Sequence, residues 1–147
     1  MIAISQKSQY AMRGIFELAK RAPKSATAAE ISAAQAIPQR FLELIFNELR
    51  QNGLIKSHRG PHGGYVLARE GSEITVGEIL LAVEGPITLV KCAPAGRHCP
   101  ASKACPLGPT WARAAKAMED IFNRKTIQEL IEKQIAMKTG TTPEYSI

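Results

Sequence analysis

The sequence predicts a mainly α-helical fold with one small β-hairpin, and three observations indicate it. Residues 27–30, 75–78 and 126–129 each carry the pattern Thr-x-x-Glu ahead of apolar residues. In this pattern the Thr hydroxyl accepts the N–H of the Glu and the Glu side chain accepts the N–H of the Thr, which favours a helix start. After Gly53 the apolar spacing changes from helical to alternating, and after Pro109 it is helical again.

The N-terminal half is predicted to form a helix, a short helix, a long helix and a hairpin, in that order. Pro38 suits the first position of the long helix, where its missing N–H costs nothing, and Gly53 suits the helix end. The predicted bounds of the five elements are residues 5–21, 27–34, 38–53, 54–59 and 65–68. This is the order of a winged helix-turn-helix, with its short turn between the second and third helices.

The C-terminal half is predicted to contain three more helices and a loop that carries every cysteine. These helices start at Thr75, Pro109 and Thr126. The helix after Pro109 carries an apolar stripe at helical spacing, formed by Trp111, Ala115, Met118 and Phe122. One winged domain leaves little for this stripe to cover, so we expect it to join two subunits of a homodimer.

The predicted fold class is therefore mainly α with a β-hairpin wing, a winged helix-turn-helix plus a long dimerisation helix. Residues 1–83 are expected to form the DNA-binding domain and residues 84–108 the cysteine loop. Residues 109–138 are expected to form the dimerisation helix and a C-terminal helix, and residues 139–147 a flexible tail.

The composition excludes several classes of protein. Hydrophobic residues make up 45% of the 147, too many for a disordered chain, and no apolar run is long enough to span a membrane. The N-terminus lacks the apolar segment and cleavage site of a secretion signal, so we expect a cytoplasmic protein. There is no Ser-His-Asp arrangement, phosphate-binding loop or His-Glu-x-x-His motif, and we expect no enzymatic activity.

The distribution of positive charge predicts double-stranded DNA as a partner. Lys and Arg total 19 against 13 Asp and Glu, a net charge of +6. Gln39 and Arg40 fall in the first turn of the third helix, from which side chains reach base edges in the major groove. Arg pairs with guanine and Gln with adenine. Further candidates for phosphate contacts are Lys56, His58, Arg59 and His62 in the hairpin and Lys7, Arg13, Lys20 and Lys24 before it. For Lys20 and Lys24 the alternative is an ordinary surface charge.

Three cysteines lie close together, Cys92, Cys99 and Cys105, separated by six and five residues. An odd, clustered set is unlike a disulfide framework and is typical of metal binding or redox sensing. Structural zinc usually shows closer pairs and four clear ligands, so the wider spacing favours an iron–sulfur cluster with one exchangeable position. Free thiols or one regulatory disulfide are the alternative, which the spacing leaves open.

Residues 37–80 closely resemble the Rrf2 family of bacterial winged-helix regulators, most specifically in the segments 49–54 and 59–65, and the resemblance extends over nearly the whole chain. It implies a homodimer joined by the helix after Pro109. It also implies a third helix in the major groove and a wing in the minor groove. The residues that match these DNA-contacting positions are Pro38, Gln39, Arg40, Arg59, Gly60, His62 and Gly63. Gly63 and Gly64 have a second interpretation, which is that they only close the hairpin.

The resemblance also implies a cofactor. Members of the IscR-, NsrR- and RirA-like branch carry three cysteines in this loop, and they match Cys92, Cys99 and Cys105. The implied group is an iron–sulfur cluster of the 2Fe-2S or 4Fe-4S type.

The chain departs from the family pattern at the fourth ligand of that cluster. IscR-like members have a histidine where Gly108 stands, and NsrR-like members have an acidic residue near the position of Ser8. His98 is the local candidate, with a solvated loop histidine as the alternative, and a small molecule or water is another candidate. The leading hypothesis is a dimeric repressor whose cluster senses iron, redox state or nitric oxide. The second is a cluster-free regulator switched by thiol oxidation or a small ligand.

Overall fold

A computed structural model of the chain describes residues 4–90 and 105–140. Within these ranges there are six α-helices and one two-stranded antiparallel sheet. In chain order the elements are α1 Gln6–Arg21, α2 Ala28–Gln35, α3 Gln39–Gln51, β1 Ile55–His58, β2 Gly64–Leu67, α4 Val76–Glu84, α5 Gly108–Asn123 and α6 Ile127–Lys138. The predicted mainly helical fold with one hairpin is confirmed. No helix in the two described ranges is long and apolar enough to cross a membrane.

Threonine side chains begin three of the helices, as the Thr-x-x-Glu patterns predict. At Thr27 and Thr75 both hydrogen bonds of the pattern form, and the Glu carboxylates accept the Thr N–H at 2.7 and 2.9 Å. At Thr126 the hydroxyl accepts the N–H of Glu129, whose carboxylate lies 3.5 Å from the Lys125 ammonium. The third pattern therefore begins a helix with only one of its two predicted hydrogen bonds.

Most predicted boundaries of the first five elements differ from the structure by one residue, the end of α3 differs by two, and two of the differences concern proposed DNA contacts. Pro38 precedes α3 instead of occupying its first helical position, because its ψ of 123° is extended. Its carbonyl nevertheless accepts the first backbone hydrogen bonds of that helix. Strand β1 ends at His58, which pairs with Gly64, so Arg59 lies in the turn of the hairpin and not in the strand.

One hydrophobic core joins the inner faces of the helices to the hairpin. Phe46 of α3 packs against Gly14 of α1, and its ring meets the ring of Tyr65 in β2 edge to face, with the centroids 4.8 Å apart. The large hydrophobic side chains that are fully buried are Phe46, Ile15, Leu18, Ile31, Leu42, Ile45, Leu49, Ile55, Ile74, Ile79 and Ile127. Burial of these apolar surfaces on one side of α3 leaves the other side of that helix in water.

The segment between α5 and α6 is attached to the segment that precedes α4. The N–H of Val76 donates to the carbonyl of Lys125 at 2.8 Å, and the N–H of Ile127 donates to the carbonyl of Ile74 at 2.9 Å. Ile127 is fully buried in the core, and α6 contacts α1. The last helix is therefore part of the same packed unit as the N-terminal helices.

Helix α5 packs against α4 and keeps much of its apolar surface exposed. Within the described chain no residue of α5 is buried, and Ile121 is 62% exposed. Trp111, Met118 and Phe122 of the predicted stripe are half-buried. A helix whose apolar side chains are only partly covered by its own domain is suited to association with another helix.

A buried carboxylate joins α1 to the end of α2. The Glu17 side chain is 8% exposed and accepts hydrogen bonds from Arg21 at 2.8 Å, Gln35 at 2.9 Å and Lys20 at 3.2 Å. Burial by itself raises the pKa of Glu17, but the hydrogen bonds and the charge of Lys20 outweigh burial and hold its pKa below the ordinary value.

We expect Glu17→Gln to remove part of the acid sensitivity of the fold. A lowered folded-state pKa means that ionised Glu17 stabilises the fold above the unfolded-state pKa, and that this contribution is lost as pH falls through the folded-state value. At neutral pH the variant should lose about 1.5–3 kcal/mol of unfolding free energy, the range for hydrogen bonds to charged groups. Urea unfolding from neutral pH to the most acidic pH at which the chain folds measures this.

The matched control is Glu70→Gln, at an exposed carboxylate. The Glu17→Gln loss should shrink with acidification, while the control stays close to the parent protein throughout. A loss of the same size at every pH would contradict an ionic role for Glu17.

Candidate nucleic-acid interface

The turn between α2 and α3 determines the direction of α3. The Ser32 hydroxyl donates to the carbonyl of Ile37, and the N–H of Ile37 donates to the carbonyl of Ser32 at 3.1 Å. Ala36, between them, has a φ of 50°, a left-handed conformation that costs a residue with a Cβ about 1–2 kcal/mol. The two hydrogen bonds and the burial of Ile37 offset this cost. The turn therefore holds α3 in one orientation.

Helix α3 has one apolar face and one polar face. The four buried side chains face α1 and the core, and they are Leu42, Ile45, Phe46 and Leu49. The exposed residues are Gln39, Arg40, Phe41, Glu43, Leu44, Asn47, Arg50 and Gln51. Gln39 donates to the Glu43 carboxylate at 3.0 Å and Arg50 donates to Asn47 at 2.9 Å, so the polar face is organised along the helix.

The hairpin borders the same surface as the first turns of α3. Gln39 and Glu43 line one groove together with Ser57 and His58 of β1. On its other side the hairpin is attached to the segment between α1 and α2, because Ala26 and Tyr65 exchange backbone hydrogen bonds of 3.0 and 2.7 Å. The hairpin is thus held at a defined position beside α3.

The tip of the hairpin requires glycine for geometric reasons. Gly60 has a φ of 115°, and a Cβ added to Gly63 would lie 2.7 Å from the carbonyl oxygen of His58. The N–H of Gly63 donates to the carbonyl of Gly60 at 2.9 Å, and the carbonyl of His62 accepts the Ser25 hydroxyl at 2.9 Å. The interpretation that Gly63 helps to close the hairpin is therefore supported, and a DNA contact at its backbone stays a prediction.

Most of the cations named from the sequence fall into two groups, and Lys24, which is exposed in the segment after α1, belongs to neither. The side chains of one group are exposed on α3 and the hairpin, and they are Arg40, Lys56, His58, Arg59 and His62. Lys7, Arg13 and Lys20 of the other group have partners within the protein. Lys7 pairs with Glu48 at 2.7 Å, and Arg13 donates to the carbonyl of Gln35. Lys7 and Arg13 thus join α1 to other helices, Lys20 pairs with Glu17 within α1, and the exposed cations of α3 and the hairpin lie on neighbouring elements.

Of the predicted metal ligands, Cys105 lies in the described part of the chain, whereas Cys92, Cys99 and His98 lie outside it. Cys105 is half-buried, and its carbonyl accepts the N–H of Gly108 at the start of α5, at 3.4 Å. Among residues 4–90 and 105–140, no group of three His, Cys, Asp or Glu side chains could hold a metal. Three thiolates would nevertheless form a soft donor set that suits iron or zinc.

A long-range contact that the sequence did not reveal lies where the cysteine loop leaves α4. Ser8 is fully buried, and its hydroxyl donates to the Glu84 carboxylate at 2.9 Å. Ser5, which caps α1, donates to the same carboxylate. The hydrogen bond from Ser5, and then that from Ser8, hold the pKa of Glu84 below its usual value even though burial opposes them. No local pattern marks this contact, because its partners are 76 and 79 residues apart.

A helix-turn-helix with a solvent-facing polar helix and an adjacent basic hairpin defines a winged-helix DNA-binding transcription regulator. The comparison with known proteins agrees and is more specific. The chain belongs to the Rrf2 family, since the family model described as "Iron-dependent Transcriptional regulator" matches residues 4–133. The proteins it is similar to are transcription regulators, and the chain is likewise a regulator and not an enzyme.

Relatives of known name support this assignment. The transcriptional regulators IscR of Klebsiella pneumoniae (strain 342) and of Escherichia coli (strain K12 / DH10B) are each 32% identical over 132 residues. The match covers 89% of this chain and 80% and 81% of those proteins.

Solved structures resemble the fold over most of its length. The cysteine regulator CymR of B. subtilis is 32% identical, with a TM-score of 0.72, and the match covers 90% of this chain and 98% of CymR. IscR of T. potens is 25% identical, also with a TM-score of 0.72, and the match covers 98% of this chain and 94% of that one.

We expect Gly64→Ala to destabilise the chain by about 2 kcal/mol or more, because strained backbone and a direct clash combine. Gly64 has a φ of 146°, and an added Cβ would lie 2.6 Å from the carbonyl oxygen of Ala26. The clash would push the hairpin away from the α1–α2 segment. Urea unfolding of the metal-free protein measures the change.

Gly108→Ala is the matched control, since a Cβ added there meets nothing within 4 Å. It should leave the unfolding free energy unchanged or slightly raised. Equal stability of the two variants would show that the hairpin tolerates a side chain at position 64.

Proposed function

We propose that the chain is a cytoplasmic, homodimeric repressor that binds its operator through α3 and the hairpin under the control of an iron–sulfur cluster. The observation that carries the DNA-binding part is the exposed polar face of α3 beside a hairpin that holds Lys56, Arg59 and His62. The three cysteines support the cluster, together with similarity to IscR over most of the chain.

The proposed contacts divide between the two grooves. Arg40 and Gln39, in the first turn of α3, reach base edges in the major groove, with Pro38 beside them at the backbone. The hairpin tip, with Arg59, Gly60, His62 and Gly63, approaches the minor groove or its phosphates. Positive charge at both places would contribute affinity that falls with added salt.

A symmetric dimer is proposed to form through α5, whose apolar side chains are partly exposed. Two copies of α3 would then meet two half-sites about 34–36 Å apart, one helical turn of DNA. The operator should therefore be a palindrome or close to one.

The cysteine loop is well positioned to influence DNA binding. Cys92, Cys99 and Cys105 would hold the cluster, of the 2Fe-2S or 4Fe-4S type, with His98 as candidate fourth ligand. A bound cluster would supply iron that reacts with oxygen, nitric oxide or peroxide, or that is lost when iron is scarce. The loop joins α4 to α5, and the end of α4 is tied to α1 through Glu84. A change in the loop can therefore shift the balance between two arrangements of the DNA-binding domains.

The second candidate is a regulator without a cluster, switched by thiol oxidation. One observation favours it. Among the similar structures is an oxidized form of CymR from Staphylococcus aureus, 30% identical with a TM-score of 0.68 over 89% of this chain and 97% of that one. In this version a small oxidant such as peroxide would take two electrons from two of the three thiols, which would release two protons and form a reversible disulfide.

We expect Cys92→Ala, Cys99→Ala and Cys105→Ala each to lose iron after anaerobic reconstitution with iron and sulfide. The parent protein should be coloured and contain both elements, because thiolates are the usual cluster ligands. Absorption spectra with iron and sulfide analysis give the answer, and Ser102→Ala in the same loop is the control. A colourless parent protein without iron would contradict the proposal of a cluster. Reversible loss of DNA binding on oxidation would then favour the thiol switch.

We expect Arg59→Ala to weaken binding to the preferred operator by about 1–3 kcal/mol, and Arg40→Ala to relax specificity at one base position. The operator is first selected from a pool of random duplexes, and binding is then measured at fixed salt. Lys138→Ala, at an exposed cation at the end of α6, is the control. Unchanged affinity and unchanged base preference in both variants would place the DNA-binding surface elsewhere.

A further inference from the structure

Leu44 is an apolar side chain in the middle of the polar face of α3. It is 61% exposed in the chain. With 3.6 residues per turn, its direction is about 150° from the mean direction of the four buried α3 side chains. Arg40 lies one turn before it and Asn47 one turn after it, both exposed. Leu44 therefore points outward together with the side chains proposed to meet DNA.

Exposure alone would mean little, since single exposed leucines are common on protein surfaces. The neighbouring Phe41, which is 38% exposed, differs because its ring meets the ring of Tyr10 edge to face at 5.8 Å. Phe41 therefore has a packing role within the domain. Leu44, in contrast to Phe41, faces outward beside Arg40, on the helix that borders the basic hairpin. An apolar side chain beside positive charges is complementary to a polyanion, such as DNA, that also presents apolar groups.

Thymine is the base that offers such a group. In the major groove each thymine presents its C5-methyl, whereas guanine, cytosine and adenine present no methyl group there. We propose that Leu44 reads a thymine by packing its side chain against that methyl group. The proposal rests on the proposed function, since it requires α3 to lie in the major groove.

The spacing along the helix locates the thymine. Leu44 is four residues after Arg40, a rise of about 6 Å, which corresponds to one or two base-pair steps of about 3.4 Å. The Arg40→Ala variant should no longer distinguish the bases at one position of each half-site. The thymine should lie one or two base-pair steps from that position. Burial of about one methyl group predicts an effect of about fourfold in affinity per half-site.

The test replaces thymine by uracil, which lacks only the methyl group, at each thymine of the selected operator in turn. The full-length protein should bind about fourfold more weakly when one position in one half-site is replaced, and about 16-fold more weakly when both half-sites are. Leu44→Ala should bind the thymine and uracil duplexes equally. Leu44→Met, which keeps an apolar side chain of similar size, should retain the parent protein's sensitivity.

The possible results distinguish a failure of the thymine contact from a failure of the proposed function. Two results would overturn the proposed thymine contact without affecting the proposed function. One is sequence-specific binding that uracil weakens at no position. The other is a Leu44→Ala variant that uracil weakens as much as it weakens the parent protein. Failure to select any operator would overturn both. Because Leu44 is exposed, thermal unfolding of the variants should match the parent, which shows that any change in affinity comes from the contact.

Discussion

The contact of Phe46 with Gly14 and Tyr65 joins the three parts on which DNA binding depends. Phe46 belongs to α3, Gly14 to α1 and Tyr65 to the hairpin, and the two rings meet edge to face at 4.8 Å. One buried aromatic side chain thus sets the position of α3 and of the hairpin relative to the first helix. Because this packing holds the inner face of α3, the orientation of its outer face relative to the hairpin is fixed.

The attachment of residues 125–127 to residues 74–76 gives the C-terminal half a defined relation to this unit. It holds α6 against α1 and places the end of α5 next to the start of α4. The two ends of the cysteine loop consequently belong to helices that pack on each other. Helix α4 also packs against α1 and α3, so one end of the loop is attached directly to the helices of the N-terminal half.

Local sequence patterns predicted most of the elements and fewer of the contacts. Thr27 and Thr75 marked their helix starts because a cap involves residues only three apart. The uses of Lys7, Arg13 and Ser8 could not be predicted in the same way. Their partners Glu48, Gln35 and Glu84 are brought close only by packing of different helices. A surface lysine and a lysine that joins two helices look the same in a linear sequence.

The sequence by itself determined the order of the helices and hairpin, the class of regulator and the set of three clustered cysteines. The element order and the cysteine set rest on periodicity, caps and spacing, which are properties of neighbouring residues, and the class of regulator rests on the resemblance to the Rrf2 family. The tertiary structure decided which cations stay exposed, how glycine closes the hairpin, and that Leu44 lies at the centre of the outer face of α3. The physical reason is that exposure and close approach depend on which surfaces pack together, and packing joins residues that are far apart in the chain.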